Sequence, residues 1–405
     1  MANGIGGSTA QEQLNRFSDM TADVTPIAKA EFEARLEKAR GLLGEQELDA
    51  VYFHAGTTLY YFTGTQWTPS ERMVGAILTR DGRLAYIGPG FERGTIQNFM
   101  LAEGPVYTWE EHEDPCALFG EVLAKAGVTA GRIGLDETLP LFLTEGLAAA
   151  NPHLEFCNGR SVISACRACK SDAEIAILKQ AKAITMEVIK AAARILRPGI
   201  PAQEVADFMH EAHIAAGVPT GNYFSIVLFG EDSQYPHGVP APQPLVDNDI
   251  VLLDVGCQLH GYISDITRTF VYGVPTERHR QIWDLEKATQ LAAFAAAQIG
   301  ASCSAVDDAA RAVLRGAGMG PDYELPGCPH RTGHGTGLDI HERPYMVRGN
   351  DTPLQKGMVA SIEPMICMPG EFGIRHEDHF YMTAAGARWF TEPMRSIDDP
   401  FGFGD

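Results

Sequence analysis

The chain has 405 residues, and its 52 Asp and Glu against 32 Lys and Arg give a formal net charge of −20. This length predicts about two domains, since single cores rarely grow beyond roughly 250–300 residues, and the hydrophobic fraction of 45% is that of a globular protein. The acidity argues against binding to nucleic acids or anionic membranes, which attract basic surfaces. The excess negative charge either favours solubility or gathers at a cation site, and composition leaves both interpretations open.

The sequence shows no sign of export or membrane insertion. Its first 20 residues have no basic start and no apolar run of signal-peptide length, and no uncharged apolar stretch reaches the ~20 residues of a membrane span. The eight cysteines are too sparse for a disulfide scaffold. Cys166 and Cys169 form a lone CxxC motif, without the second pair that zinc would need. We therefore expect reduced thiols and a cytoplasmic protein.

The first part of the chain, residues 1–165, is predicted to be an α/β domain. After about 25 polar, Gly-rich residues that we expect to be loose, apolar residues recur at helical spacing over residues 26–46. Asp81 and Gly82 give a hairpin signal. Strands are predicted at residues 48–53, 73–79, 84–87 and 132–136, and a second helix at residues 141–150.

The second part, residues 171–405, begins with a helix-start signal and contains a repeated order of elements. Ser171 and Glu174 form a capping box ahead of a long helix, which Pro198 should stop. The remaining predicted elements are a helix at residues 202–216, strands across 225–272, helices at 276–299 and 304–315, and strands across 358–383.

An offset of 101 residues relates the two halves of this region. It aligns Gly199 with Gly300, Val205 with Val306, Asp207 with Asp308, and Gly217 with Gly318. Two amphipathic helices can look alike by chance, but the repeated order of elements favours a duplicated helix–helix–hairpin unit. We therefore predict an α+β domain in which two strand hairpins face each other.

Two pairs of acidic residues carry the strongest chemical signal. Asp254 lies within an apolar strand, with Asp265 11 residues later, and Glu363 and Glu377, 14 residues apart, form the corresponding pair in the second half. A buried carboxylate is costly unless it is paired or binds a cation. Any one strand carboxylate is more commonly a cap or a salt-bridge partner, so the argument depends on the four together.

A Gly-His-Gly segment centred on His334 lies between the two pairs. The flanking glycines would let the backbone approach a ligand closely, although such a segment by itself is usually a turn. A phosphate-binding loop would need a Lys and a Ser or Thr after the glycines, which this segment lacks.

Four clustered carboxylates would repel one another, and two divalent ions match their charge. We therefore interpret five residues as the ligand set of a two-metal hydrolytic site. Oxygen-rich ligation with one imidazole favours Mn²⁺, with Co²⁺, Fe²⁺ and Zn²⁺ as alternatives. The five are Asp254, Asp265, His334, Glu363 and Glu377.

The order of these residues resembles that of the pita-bread metallopeptidases, which include methionine aminopeptidase, aminopeptidase P, prolidase and creatinase. The flanking segments Ser264-Asp-Ile-Thr-Arg-Thr269, Gly333-His-Gly-Thr-Gly337 and Ile362-Glu-Pro364 are also similar to the family's. Residues 1–165 resemble the N-terminal domain of the prolidase, aminopeptidase P and creatinase branch, which methionine aminopeptidases lack. The resemblance implies a creatinase-like α/β domain followed by a pita-bread catalytic domain.

The resemblance also implies a role for each ligand. Asp265 and Glu377 would bridge the two ions, Asp254 would bind one, and His334 and Glu363 would bind the other. A hydroxide between the ions would be the nucleophile. Glu363 would carry a proton to the leaving nitrogen.

Further residues are implied around these ligands. His341 would hydrogen-bond the substrate near the scissile carbonyl, His237 would contact the substrate, and Arg375 would orient a ligand carboxylate. By strand alternation, His379 shares a face with Glu377. His376 faces the other way and is assigned a structural use.

One position departs from the prolidase pattern. Many prolidases have an arginine four residues after the second site histidine, where it binds the free carboxylate of a dipeptide, and here that position is Tyr345. Arg343 is close in sequence, but it would point elsewhere unless the strand has a bulge. Both residues are candidates for substrate specificity.

The resemblance therefore implies a metallopeptidase that hydrolyses Xaa-Pro bonds in small peptides, foremost Xaa-Pro dipeptides. Aminopeptidase P activity on longer peptides is the nearest alternative. A creatinase-like enzyme or an inactive binding protein is less favoured, because such members usually lose metal ligands that this chain keeps. By analogy alone, we expect a homodimer.

Overall fold

The computed structural model describes residues 4–403, which form two compact units. One unit comprises residues 27–167, and the other comprises residues 168–403 together with residues 4–26. The division lies inside the linker that the sequence suggests between residues 165 and 171. The N-terminal segment, by contrast, packs with the second unit and not with the first.

The segment of residues 4–26 contains a short helix, α1 (Ala10–Leu14). Gly6 N donates a hydrogen bond to the carbonyl of Ala193 at 2.8 Å, and Ile5 is buried. The expectation of a loose start is therefore wrong for these residues. Polar composition was misleading here because two buried side chains, Ile5 and Gln13, and a few backbone hydrogen bonds attach the segment.

The unit of residues 27–167 is the predicted α/β domain. Its strands are β1 (Ala50–His54), β2 (Gly75–Thr79), β3 (Leu84–Pro89), β4 (Val106–Trp109), β5 (Gly131–Leu135) and β6 (Leu154–Asn158). Its helices are α2 (Lys29–Glu45), α3 (Thr57–Thr63), α4 (Arg93–Phe99), α5 (Pro115–Lys125), α6 (Leu141–Ala150) and α7 (Arg160–Ala168). The strands form one sheet in the order β4-β3-β2-β1-β5-β6. The predicted hairpin is confirmed between β2 and β3, where Gly82 has a φ of +92°.

The second unit contains four longer helices, which are α8 (Asp172–Ile195), α9 (Ala202–Ala215), α10 (Glu277–Ala296) and α11 (Cys303–Gly316). The strands of its first half are β7 (Asn222–Phe229), β8 (Ile250–Leu259), β9 (Tyr262–Ile263) and β10 (Ile266–Val271). Those of its second half are β11 (Gly333–Gly335), β12 (Glu342–Met346), β13 (Val359–Ile362), β14 (Met365–Met368), β15 (Phe372–Arg375), β16 (Asp378–Thr383) and β17 (Gly386–Trp389). The capping box of Ser171 and Glu174 is confirmed at the start of α8.

The order of long helix, short helix and strands occurs twice, as predicted. The first half forms the sheet β10-β8-β7, and the second forms the sheet β13-β16-β17 and the pairs β14-β15 and β11-β12. The halves meet along β10, where Thr269 Oγ1 donates to the carbonyl of Arg375 at 2.6 Å. Glu377 N likewise donates to the carbonyl of Thr267 at 3.1 Å. These bonds bring the two acidic pairs together.

Two further sequence expectations concern cysteines and membranes. All eight cysteines are free thiols, and burial raises the pKa of Cys166 to about 12. Among residues 4–403, no helix has the combined length and apolarity that crossing a bilayer requires.

A buried ion pair on α11 holds the loop that leads to His334. Arg311 Nε donates to Asp307 Oδ2 at 2.8 Å, and both side chains are almost fully buried. Asp307 Oδ1 accepts from Thr332 Oγ1 at 2.7 Å, and Arg311 Nη2 donates to the carbonyl of His330 at 2.7 Å. The backbone just before His334 is thus attached to the helix.

We expect Arg311→Met to lower the free energy of unfolding by about 3–5 kcal/mol, because it leaves the Asp307 carboxylate buried without its cation. The matched control is Arg315→Met, one turn along the same helix at an exposed position, which should change stability by no more than about 0.5 kcal/mol. Urea unfolding measures both. Equal effects of the two substitutions would show that the ion pair does not hold the loop.

Candidate metal centre

The first half of the second unit supplies two of the predicted ligands. Asp254 lies within β8, as predicted, and Asp265 lies just before β10 and not within a strand. Both are at least 94% buried. Arg375 Nη2 donates to Asp254 Oδ2 at 2.5 Å and Arg375 Nε donates to Thr267 Oγ1 at 3.0 Å. The guanidinium therefore fixes one carboxylate oxygen of Asp254.

The glycines on either side of His334 make room for neighbouring backbone. A Cβ at Gly333 would lie 2.0 Å from the carbonyl oxygen of Ser361, and one at Gly335 would lie 2.7 Å from that of Glu342. The glycines thus admit the backbone of neighbouring strands. The sequence had suggested that they make room for a ligand, but the atoms closest to them belong to the backbone.

A backbone hydrogen bond on Nδ1 orients the ring of His334, so that its Nε2 faces the carboxylates. Its Nδ1 lies 3.0 Å from the carbonyl of Gly335, which accepts from an Nδ1–H. Its Nε2 lies 3.0 Å from Glu363 Oε1 and 3.5 Å from Asp265 Oδ2. A backbone partner on one nitrogen that leaves the other free toward acidic groups is the usual arrangement of a metal-binding histidine.

The second acidic pair converges on the same point. Glu363 follows β13, and its Oε1 accepts from Ser361 Oγ at 3.0 Å. Glu377 Oε2 accepts from Thr267 Oγ1 at 2.9 Å, and its Oε1 lies 3.9 Å from His334 Nε2. The structure therefore brings all five predicted ligands to one buried region.

A sixth residue joins this region without having been predicted as a ligand. One ligand atom from each of Asp265, His334, Glu377 and His379 lies within 4.8 Å of the others, and all four residues are buried. The alternation argument had placed His379 on the same face as Glu377 and assigned it no function. The sequence did contain a signal for this role, because His379 is the second residue after the candidate ligand Glu377.

The donors fit a divalent cation. Asp254 Oδ1 and Glu377 Oε1 are buried and have no hydrogen-bond partner among the residues that the structure describes. Buried acceptors are costly when left unpaired, and carboxylate oxygens with imidazole nitrogens are the ligands that Mn²⁺, Co²⁺, Fe²⁺ and Zn²⁺ accept. The residues present therefore suit one or more such ions.

The electrostatics favour a cation as well. Burial raises the pKa of Asp265 well above its usual range, and the neighbouring Glu377 and Asp254 raise it further. Burial, followed by the charge of Glu363, raises the pKa of Glu377 to about 8. Glu363 behaves differently: burial raises its pKa, but the charge and hydrogen bond of His334 and the charges of His330 and Arg375 together outweigh burial and lower the pKa to about 2. Without cations, these carboxylates oppose one another's ionisation.

Buried cations that sequence reasoning missed lie behind the carboxylates. Lys182 of α8 is fully buried, and its Nζ lies 3.5 Å from the backbone carbonyl of Asp265. Arg268 donates to Asp378 Oδ1 at 2.6 Å. A lysine on the apolar face of an amphipathic helix was the signal for Lys182, since a buried amine requires nearby negative charge.

The residues predicted to contact substrate lie at the edge of this region. His341 is exposed, and its ring centroid lies 4.1 Å from that of His334. His237 is also exposed and follows Pro236, whose carbonyl accepts from Arg375 Nη1 at 3.0 Å. The ring of His341 therefore contacts a candidate ligand directly, whereas His237 is linked to the ligands through the backbone bond that Arg375 makes to Pro236.

The two candidate specificity residues lie close to each other. The pairing of β11 with β12 is shifted, so that His334 pairs with Tyr345 but Gly335 pairs with Glu342. From the sequence, Arg343 required such an irregularity to approach the position of Tyr345. The guanidinium carbon of Arg343 lies 5.5 Å from the centroid of the Tyr345 ring. Arg331, which sequence reasoning did not single out, lies closer, at 4.3 Å.

His376 faces away from the centre, as strand alternation indicated. Its Nε2 lies 3.2 Å from Glu286 Oε2, and its ring packs against Trp283 with centroids 4.6 Å apart. This environment agrees with the structural use assigned to it.

Comparison with known proteins identifies the family. Residues 176–384 match metallopeptidase family M24, and residues 35–169 match the Creatinase/Prolidase N-terminal domain. The chain belongs to metallopeptidase family M24. An Xaa-Pro dipeptidase of Lactobacillus delbrueckii subsp. lactis is 30% identical over 365 residues, which cover 89% of this chain and 98% of that protein.

Solved structures agree with the M24 assignment. Dipeptidase PepE from Mycobacterium ulcerans superposes with a TM-score of 0.85 at 31% identity, covering 92% of this chain and 98% of that chain. A prolidase from Thermococcus sibiricus gives 0.79 at 28% identity, with 89% and 97% covered. The M24 chain is thus a metallopeptidase with a creatinase-type N-terminal domain and a pita-bread catalytic domain, as the sequence motifs implied.

We expect the raised pKa of Glu377 to stabilise the metal-free protein at low pH, a contribution of a few kcal/mol that is lost as the pH rises from about 4.5 to about 8. Buried histidines with lowered pKa values, such as His213 and His341, act in the opposite direction, so the contribution is the difference between the wild type and a Glu377 variant. The pKa of Glu377 is about 8 in the folded state and 4.5 ordinarily. Folding therefore takes up a proton in this interval, and that stabilisation is lost as the pH passes the folded-state value. The raised pKa values of Asp254 and Asp265 act in the same direction.

Urea unfolding in EDTA across this pH range measures the pH dependence of stability. Glu377→Gln should remove the Glu377 contribution, so that the stability difference between wild type and variant changes with pH, whereas Glu371→Gln, at an exposed position, should leave the pH dependence as in wild type. Added Mn²⁺ should suppress the Glu377 contribution, because bound cations keep the carboxylates ionised. The same pH dependence in EDTA for wild type and Glu377→Gln would contradict the assigned pKa shift.

Proposed function

We propose that this protein is a two-metal hydrolase of Xaa-Pro peptide bonds, and that Xaa-Pro dipeptides are its main substrates. The observation that carries the proposal is the convergence of four carboxylates and His334 in one buried region of an M24 metallopeptidase. Relatives named Xaa-Pro dipeptidase and prolidase support the substrate class. Mn²⁺ is the proposed ion, and the proposed form is a cytoplasmic homodimer.

Asp254, Asp265, His334, Glu363 and Glu377 would hold the ions. Two divalent ions, when bound, would neutralise the carboxylates, polarise the scissile carbonyl and lower the pKa of a water molecule between them. Asp265 and Glu377 would be shared by the two ions, as the resemblance to the family implies. Arg375 leaves Asp254 Oδ1 without a partner among the described residues and thus directed to a cation.

Glu363 is proposed to move the proton. Its side chain is 15% exposed, whereas those of Asp265 and Glu377 are 5% and 2% exposed. It therefore lies on the side of the centre that a substrate can reach, where a carboxylate can take a proton from water and deliver it to the leaving prolyl nitrogen. An amine leaves poorly unless it is protonated, so this transfer is needed for bond cleavage.

The exposed imidazoles are proposed to contact the peptide. His341 lies beside His334 and can donate a hydrogen bond near the scissile carbonyl, where negative charge develops. His237 lies in the loop whose Pro236 carbonyl accepts a hydrogen bond from Arg375. Tyr345 occupies the position where many prolidases bind the dipeptide carboxylate with arginine, and Arg331 and Arg343 beside its ring could supply that charge.

Activity should depend on metal and on peptide length. EDTA-treated protein should not cleave Ala-Pro, and Mn²⁺ should restore cleavage. Ala-Pro should be cleaved faster than a longer peptide that begins Ala-Pro, and Ala-Ala serves as the control for proline selectivity. Cleavage of the longer peptide alone would instead favour aminopeptidase P activity. A protein without divalent metal, and without activation by Mn²⁺, would refute the two-metal proposal.

Glu363→Gln should lower kcat on Ala-Pro by at least about 10²-fold, the lower limit for loss of a general acid or base. The amide keeps the size and one oxygen of the side chain but cannot carry the proton. Glu371→Gln, at an exposed carboxylate away from the centre, is the control and should keep wild-type kcat. A near-normal rate in the Glu363 variant would exclude its role as proton carrier.

A further inference from the structure

Besides the five residues that match the family pattern, a second imidazole reaches the metal centre. His379 belongs to β16, where it pairs with Ser361 of β13. Ser361 is also the residue whose hydroxyl accepts from His334 N at 2.9 Å and donates to Glu363. The strand pairing that positions Glu363 therefore also fixes the backbone of His379.

His379 is a buried histidine whose ring nitrogens have no hydrogen bond within the described part of the chain, a property that it shares with His54 and His376. The residue is fully buried, and neither of its ring nitrogens has a hydrogen-bond partner among residues 4–403. The two differ in their surroundings: His376 Nε2 lies 3.2 Å from Glu286 Oε2 and its ring packs against Trp283, whereas His379 lies among the candidate ligands. A buried imidazole normally has a hydrogen-bond or metal partner, because its polar nitrogens are costly to bury alone.

The position of His379 indicates what its partner is. One of its ring nitrogens lies within 4.8 Å of ligand atoms of Asp265, His334 and Glu377, which also lie within that distance of one another. Four donors around one point, two of them carboxylates and two imidazoles, match the ligation of a divalent transition metal. The ring of His379 meets that of His334 edge-on, with centroids 5.8 Å apart.

We propose that His379 is a second imidazole ligand of the ion that His334 binds. The inference rests on the proposed binding of divalent metal at this centre and adds one ligand to it. With two imidazoles, this ion has a softer environment than five-residue ligation supplies, so the centre should bind Co²⁺, Zn²⁺ or Fe²⁺ more tightly relative to Mn²⁺. His379 thereby becomes a determinant of metal selectivity.

The number of imidazole ligands can be counted directly in Co²⁺-substituted full-length protein. Each coordinated imidazole with an N–H gives a strongly shifted, solvent-exchangeable proton NMR signal. Wild type should give two such signals, and His379→Gln should give one. The matched control is His376→Gln, which removes a buried histidine on the opposite face of the same segment and should keep both signals.

Metal affinity gives a second measurement. Titration calorimetry should show that His379→Gln weakens Co²⁺ binding by at least about tenfold and weakens Mn²⁺ binding less. About tenfold is the smallest loss of affinity that is typical when even a hydrogen-bond partner of a metal ligand is replaced. If the variant does not fold, pulsed EPR on wild-type protein with Mn²⁺ still counts the nitrogen nuclei coupled to the ion, and two imidazoles are expected.

The outcomes separate this inference from the proposed function. A single shifted signal in wild type that persists in His379→Gln, with one imidazole by EPR, would overturn the role of His379 and leave the metallopeptidase proposal intact. Wild-type protein that binds neither Co²⁺ nor Mn²⁺ would overturn both.

Discussion

The burial of several carboxylates in one place is the constraint on which the catalytic unit depends. Like charges removed from water oppose one another's ionisation, so each must face a cation or a hydrogen-bond donor. Arg375 meets Asp254, Thr267 meets Glu377, and Lys182 lies behind Asp265. These contacts fix some of the carboxylate oxygens and leave others directed to one region, which is the arrangement that a divalent ion requires.

The duplicated architecture explains how these groups come together. Each half brings one acidic pair, with Asp254 within a strand and the other three carboxylates directly beside strand ends, and β10 of the first half is hydrogen-bonded to the segment that carries Arg375 and Glu377. The halves are not equivalent, since His334 and its glycines belong to the second alone. The close approach of strand backbones at Gly333 and Gly335 holds this imidazole over the carboxylates and contributes the asymmetry of the centre.

Burial falls from the centre outward, and this gradient separates two properties of the enzyme. The proposed ligands are deeply buried, so that their oxygens are excluded from water. Under the proposed function, the exposed His237 and His341 and the half-buried Tyr345 would meet the peptide. Choice of substrate would then depend on these outer residues.

The sequence by itself determined the α/β and duplicated α+β organisation and the five candidate ligands. Helix periodicity, the capping box at Ser171 and the spacing of acidic residues are local signals that a chain carries without folding. The attachment of residues 4–26, the packing reason for the glycines beside His334 and the approach of Lys182 and His379 to the carboxylates depended on tertiary structure. Each is a contact between segments distant along the chain, and only the folded backbone decides which of those segments meet.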